Sequence, residues 1–349
     1  MSTSVLNPII SEDLDDILAR SLPWETFAGR TVLVTGAAGF LPGYLVETLL
    51  RRNDVFGDAP ATVVALARRR GSAEKRFAHH AGRIDLRIVT GDVCDPPPTD
   101  LRPAVVIHAA SQASPRYYRD DPVGTIRPNV VGTDLLLQAA RRCGSSHFLF
   151  LSSAEVYGEV APEHNPISEE VPGAVATTAR RSCYAEGKRA GEALCVAYYH
   201  QFGVPAVIAR PFHTYGPGLE ADGRVYTDFI DAVAGGRDLV MTGDGSARRA
   251  FCYVSDAVAG LFTALLKGEP GTAYNVGNED AEVGVAELAE MLVRSNPGLR
   301  IRRQAPPAGY LPSAVARHCP DTTRLRALGW TPAWELISGF QRAIEGCRL

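Results

Sequence analysis

From Arg30 onward the chain alternates short β-branched runs with longer stretches of helical periodicity: TVLVTG, YLVETLLRR, ATVVALA, LRIVTGDV, AVVIHAAS, GTDLLLQAARR and HFLFLSS. Near-continuous apolar strands of this kind are buried on both faces, and parallel strands need long crossovers to join them. The alternation predicts an α/β fold built on a doubly wound parallel sheet. Two further strands are expected at PAVIARP (205 to 211) and DLVMTG (238 to 243).

The first strand runs into Thr35-Gly36-Ala37-Ala38-Gly39-Phe40-Leu41-Pro42-Gly43 and then a helix pattern. Such a turn is where a dinucleotide pyrophosphate is held. Gly36 permits the tight turn, Gly39 a close backbone approach, and the helix that opens at Phe40 and Leu41 favours negative charge at its N-terminus. Pro42 stands where a third glycine is usual, and a first-turn position tolerates it because the missing N–H has no intrahelical partner there. These features describe a Rossmann dinucleotide-binding domain. After the second strand, where a carboxylate commonly holds the ribose of NAD, the chain has Arg68-Arg69-Arg70. Two readings stand: a grip on the 2′-phosphate of NADP, or a solvated basic loop. Asp92 and Val93, after the third strand, are placed at the adenine edge, and Ala109 in the run His108-Ala109-Ala110-Ser111 borders the cofactor channel.

Further along, Ser182-Cys183-Tyr184-Ala185-Glu186-Gly187-Lys188 puts a tyrosine and a lysine four residues apart, on one face of a helix. An ammonium at Lys188 favours the phenolate of Tyr184, whose ordinary pKa of about 10 is too high for a base at neutral pH. A tyrosine tuned this way takes a proton from a sugar or alcohol hydroxyl while hydride leaves for a nicotinamide.

At 349 residues and 46% hydrophobic content the chain buries a core without staples, and a net charge of −3 gives no field for nucleic acid or an anionic membrane. The seven cysteines are scattered and read as reduced cytosolic thiols, with Cys183 a packed thiol. No metal site is expected, since His79-His80, His164 and His200 lack ligand spacing. No secretory leader or membrane-length apolar run is legible, so a cytoplasmic location is expected.

Ile10, Leu14, Ile17 and Leu18 recur at helical spacing, with Ser11 as N-cap, and predict a helix that packs either on its own domain or on a neighbour. The expected division is an N-terminal helical extension over 1–29, a dinucleotide-binding domain over 30–210, and a smaller C-terminal α/β substrate-binding lobe over 211–250 and 271–349. The segment around 251–270 is expected to return to the first domain. Gly- and Pro-rich loops such as PFHTYGPGLEADGR and PGTAYNVGNED carry the lobe's binding groups.

The chain resembles the extended short-chain dehydrogenase/reductase family of nucleotide-sugar enzymes, and within it the UDP-glucuronate decarboxylases, over nearly all of residues 30 to 345. The resemblance rests on TGAAGF at 35 to 40, the run from His108 to Tyr118, SSAEVYG at 152 to 158 and CYAEGKR at 183 to 189. It continues through RPFHTYGPG at 210 to 218, DGRVYTDF at 222 to 229, GSARRAFCYVSD at 245 to 256 and PDTTRLRALGWTP at 320 to 332. It implies that Ser153, Tyr184 and Lys188 form the catalytic triad, that Glu155 acts near sugar C5, and that Tyr118 lines the hexose pocket. Arg224, Val225 and Arg249 fall near the nucleotide diphosphate, with Arg249 alternatively facing the uronate, and His213 borders the same pocket. It also implies a tightly held NAD, a UDP-linked sugar, and a homodimer built on the helix of Tyr184.

Three positions depart from the family pattern. Ala154 replaces a Ser of the decarboxylases and an Asp of the 4,6-dehydratases, His213 replaces an Asn, and Gly218 replaces an Arg. Loss of the acid at 154 argues against dehydration. Decarboxylation and epimerisation through a 4-keto sugar both remain, with a net reductase and a non-catalytic dinucleotide-binding module behind them.

Overall fold

In the computed structural model, which describes residues 5–305 and 315–349, seven parallel strands form the central sheet. They are β1 (Thr31–Thr35), β2 (Thr62–Ala67), β3 (Leu86–Thr90), β4 (Val105–His108), β5 (His147–Leu151), β6 (Ala206–Pro211) and β7 (Ala273–Val276). Their order is β3-β2-β1-β4-β5-β6-β7. The order reverses between β1 and β4, and a crevice opens at that switch point beyond the carboxyl ends of the strands. Both faces are covered. Val34, Ala65, Leu149 and Ala209 join the core on one side, and Leu33, Val64, Phe148 and Phe150 the core on the other.

Six of the predicted runs are the first six strands. The seventh prediction, DLVMTG, is a strand at Leu239–Thr242, but it pairs with Ile301–Gln304 in a separate two-stranded sheet. The expected boundary at residue 271 also moves. Ala273–Val276 pairs with β6 and closes the central sheet, delivered there by the helix Val254–Lys267, which is buried along nearly its whole length. A segment this apolar on all sides belongs to a core rather than to a lobe surface.

The second lobe is organised around the strand Arg248–Tyr253. Glu282–Gly284 pairs with it antiparallel, and His213–Tyr215 and Arg317–His318 pair with it parallel. One strand thus brings His213 and His318, distant in sequence, to the same end of the lobe. Residues 1–4 of the extension and 306–314 of the lobe lie outside the described residues.

The N-terminal helix spans Pro8–Leu18 and is capped by Asn7, not Ser11: the Asn7 side chain accepts from the Ile9 N–H at 3.0 Å, and Pro8 takes the first helical position. Asn is as good a cap as Ser, and Pro at the next residue fixes the start one turn earlier. The helix packs on its own chain, against the helices Phe40–Val55, Val254–Lys267 and Leu336–Arg348. Burying Ile10, Leu14, Ile17 and Leu18 contributes about 1.5–3 kcal/mol each at full burial. Its Asp13 is fully buried and accepts from Tyr44 Oη at 3.2 Å, Tyr253 Oη at 3.0 Å and Arg342 Nε at 2.8 Å. Burial still pushes its carboxyl up to about 6, against the Arg342 charge and these hydrogen bonds. Among the described residues no helix is long and apolar enough to cross a membrane.

Candidate active site

The glycine-rich turn closes against the end of β4. Gly36 has φ +69°, and a Cβ there would stand 2.8 Å from Ala110 Cα, so only glycine lets the two turns meet. Thr35 and His108 lock the junction. The Thr35 hydroxyl accepts from the Ala109 and Ala110 N–H groups at 3.1 Å and lies 2.9 Å from His108 Nδ1, while His108 Nε2 lies 3.1 Å from the Pro128 carbonyl. A carbonyl only accepts, so Nε2 carries the proton and Thr35 donates to Nδ1. Burial and the Lys188 charge lower His108 to about 3, which keeps the ring neutral for this role.

Beside this turn lies a cavity of about 160 Å³, lined by Gly36, Arg68, Asp92, Val93, Ser111 and Gln112 among others. Gln112 donates to Asp121 at 3.1 Å, but its Oε1 is buried without a partner. A glycine cradle, a helix N-terminus at Gly39, Phe40 and Leu41, and an orphaned acceptor in the cavity fit a dinucleotide. Ser111 closes the run marked in the sequence beside the cofactor channel, and Gln112, which the sequence did not single out, follows it. Of the three arginines, Arg68 reaches the cavity, whereas Arg70 pairs with Glu74 at 2.7 Å on the surface. Asp92 caps its own turn through the Cys94 N–H at 2.8 Å.

Pro42 sits in the first turn of the Phe40–Val55 helix. The adjacent Gly43 leaves room for Arg76, whose Nε lies 2.7 Å from the position a Cβ would take. The same guanidinium comes within 3.2 Å of a Cβ placed on Gly218, where the family pattern has arginine. Arg76, from another element, supplies a cation beside that position. Its Nε and Nη2 are buried without hydrogen-bond partners.

Ser182–Phe202 is one helix, stopped by Gly203 in the left-handed region, and it buries Tyr184 and Lys188 on the face toward β5. Ser153 follows β5, and its hydroxyl lies beside Tyr184, whose pKa it lowers. It also accepts the Glu155 N–H at 3.2 Å, so the hydroxyl is oriented by the short helical turn it caps. Lys188 Nζ donates to the Leu151 carbonyl at 2.5 Å and lies 5.7 Å from the centre of the Tyr184 ring.

The expected tuning of Tyr184 by Lys188 is not what the structure shows. Burial pushes the Tyr184 phenol up to about 12, with Ser153 and Arg224 pulling the other way and Glu155 adding to the rise. The same burial takes Lys188 down to about 7, opposed by Glu192. The spacing correctly placed the two side chains, but the sequence carries no measure of how much water their face loses on folding.

Of the remaining predicted site residues, Tyr118, Glu155 and Arg224 gather around Tyr184, and His213 and Arg249 form a second group with His318. Tyr118 stacks on it, Arg181 lies 5.8 Å over the Tyr118 ring, and Arg181 Nη2 is 3.6 Å from Glu155 Oε1. Arg224, just before the helix that opens at Val225, is bound to Asp222 at 2.7 Å and donates to Tyr226 Oη at 2.7 Å. Its charge acts on Tyr184, Tyr118 and His213. Arg249 donates to the Arg248 and Val315 carbonyls, each at 2.7 Å. His213 Nε2 lies 3.3 Å from His318 Nδ1, and burial with the Arg249 charge keeps both imidazoles neutral. His318, missed in the sequence, also lies by the Ala154 backbone, and its Nε2 is buried without a hydrogen-bond partner. Only the pairing of both strands with Arg248–Tyr253 reveals it. All seven cysteines are free, and burial raises the Cys183 thiol, as befits a packed group.

One cluster lies apart from this site. His79 and His80, for which no ligand spacing was legible, converge on Glu47 of the Phe40–Val55 helix.

The chain matches the NAD dependent epimerase/dehydratase family over residues 32–277. UDP-glucuronic acid decarboxylase 5 of Arabidopsis thaliana is 35% identical over 91% of this chain and 89% of the relative. UDP-glucuronic acid decarboxylase 1 of Xenopus tropicalis is 34% identical over 90% of this chain and 72% of the relative. Among solved structures, UDP-glucose 4-epimerase of Thermus thermophilus in complex with NAD superimposes with a TM-score of 0.76 at 27% identity, covering 91% of this chain and 99% of that one. UDP-glucuronic acid 4-epimerase of Bacillus cereus in complex with UDP-glucuronic acid and NAD gives 0.77 at 23% identity, covering 91% and 99%, a likeness of fold alone. The chain therefore belongs to the NAD dependent epimerase/dehydratase family of enzymes.

Proposed function

We propose that this protein is a nucleotide-sugar enzyme that decarboxylates UDP-glucuronate through a 4-keto sugar, with NAD held in the crevice at the β1/β4 switch point. The observation that carries the reading is the convergence of Ser153, Glu155, Tyr184 and Lys188 next to that crevice. Its support is a chain 35% identical to a UDP-glucuronic acid decarboxylase over 91% of its length.

When bound, the dinucleotide accepts hydride from the sugar and returns it, so the cycle is redox-neutral. Tyr184 Oη takes the proton of the C4 hydroxyl, and Ser153 Oγ, beside Tyr184, orients that hydroxyl. Lys188, buried and tied to the Leu151 carbonyl, places its ammonium on the inner side of the tyrosine whenever it is protonated. The burial that raises Tyr184 also excludes water from the oxidised sugar. With a carboxylate at C6 and a ketone at C4, the C5–C6 bond breaks, its electron pair moves toward the ketone oxygen, and CO2 leaves. C5 then takes a proton, a step for which the resemblance offers Glu155. Arg224 and Arg249 suit the diphosphate, since guanidinium pairs with phosphate oxygens in a bidentate manner.

Arg68 at the cavity leaves NADP as the competing dinucleotide. The resemblance also supports a homodimer built on the Ser182–Phe202 helix, which size-exclusion chromatography with light scattering tests.

A second reading, epimerisation without loss of carbon, is favoured by one feature: Ala154 offers no side-chain acid or hydroxyl, and His318 beside its backbone is neutral. Tyr184→Phe tests what the two readings share. It should abolish turnover of UDP-glucuronate while circular dichroism and dinucleotide binding stay unchanged; retained turnover would remove Tyr184 from the base role.

A further inference from the structure

Away from the crevice, the helix Phe40–Val55 carries a glutamate into the space between itself and the connection from β2 to β3. Glu47 is 1% exposed, and among the described residues the only charged or titratable groups bonded to it are two consecutive histidines. His79 Nε2 stands 3.0 Å from Glu47 Oε1 and His80 Nε2 stands 2.5 Å from Oε2. The two rings lie 4.2 Å apart, centre to centre. Neighbouring side chains ordinarily diverge, but the tight turn Ala78–His80 aims both imidazoles at one carboxylate.

We propose that Glu47, His79 and His80 form a binding site for a divalent transition-metal ion of the zinc class, separate from the sugar-nucleotide site. The donor set is two imidazole nitrogens and one carboxylate, which suits a borderline cation over magnesium or calcium. The three donor atoms lie within 4.8 Å of one another. In a tetrahedral zinc site with bonds of about 2.0–2.1 Å, donors stand about 3.3 Å apart, so small side-chain rotations open the cluster to an ion. Both histidine side chains are 13% exposed, which leaves a solvent side for one or two water ligands. Binding replaces two hydrogen bonds to Glu47 with two Nε2–metal bonds and moves each ring proton to Nδ1 or to solvent.

The ion would tie the helix that begins at the dinucleotide turn to the β2–β3 connection. Glu47 lies eight residues beyond Gly39, about 12 Å along that helix at 1.5 Å per residue, so the role is a brace and not catalysis.

The test is titration of tag-free full-length protein with Zn2+ by calorimetry, and with Co2+ by visible absorption, at pH 7.5. One equivalent per chain is expected, with a rise in Tm on Zn2+ addition. His79→Gln and His80→Gln each keep an N–H donor for Glu47, and each should weaken binding at least tenfold while the metal-free Tm is unchanged. No stoichiometric binding by the wild type, or undiminished binding by both variants, overturns the proposal. If the variants do not fold, imidazole 15N spectra of the wild type decide: Zn2+-dependent shifts at His79 and His80 support it, and shifts confined to other histidines overturn it.

Discussion

The ring of Tyr118 lies parallel to that of Tyr184, with centres 5.0 Å apart and planes inclined by 19°. The stack holds the phenol of the proposed base from an element, Pro115–Asp120, whose start is capped by Ser114. Aromatic pairs contribute about 0.5–1.5 kcal/mol beyond area burial, and losing the ring also frees Tyr184 to turn. Tyr118→Ala should therefore lower kcat/KM about tenfold, while Tyr118→Phe retains most of it. Equal activity in the Ala variant would show that the stack does not position the base.

Lys188 links the site to pH. An unfolded lysine holds its proton to about pH 10.4, whereas burial takes this one down to about 7 in the folded protein. Between those values the unfolded state binds more protons, so this group makes stability rise with pH from about 7 toward 10. Urea denaturation without added dinucleotide at pH 7, 8 and 9, as about three points across that window, should show the rise in the wild type and a flatter profile in Lys188→Met. Parallel profiles would place Lys188 in a wetter setting.

Asp13 anchors the N-terminal helix through Tyr44, Tyr253 and Arg342. Removing one partner of a buried charged pair costs about 3–5 kcal/mol, and the value here should lie near the lower end because Arg342 also pairs with Glu12 at 2.8 Å. Asp13→Ala should lower the denaturation midpoint accordingly. A loss below about 1 kcal/mol would mean that apolar packing alone holds the helix.

His318 stands by the Ala154 backbone with its Nε2 unpaired, held by His213 at 3.3 Å. His318→Asn keeps a polar donor and should retain most activity; His318→Leu should cut kcat/KM on UDP-glucuronate more than tenfold with the fold intact. Equal effects of the two substitutions would reduce His318 to a packing role.

Much of this was legible before the fold. Apolar runs from Val32 to Ala209 marked six strands because a parallel sheet leaves no polar face to interrupt them. Tyr184 and Lys188 were placed by helical spacing, and Ser153 and Glu155 by the ordered motifs around them. What escaped notice depends on distant pairing. β7 is a short AYNV run that gains its place only through β6, and His318 reaches His213 only through a shared neighbour strand. Glu47 meets His79 and His80 across a helix–turn contact that no local spacing encodes. The raised pKa of Tyr184 has a related cause: charge spacing is written in the sequence, and desolvation is not.

The central claim, decarboxylation by the Tyr184 site, is tested most directly by incubating the purified protein with UDP-glucuronate and NAD+ and weighing the nucleotide-sugar product. The account predicts a product lighter by one carbon dioxide, with no net reduction of NAD+ at completion. A product of unchanged mass and altered C4 configuration would contradict it and establish epimerisation.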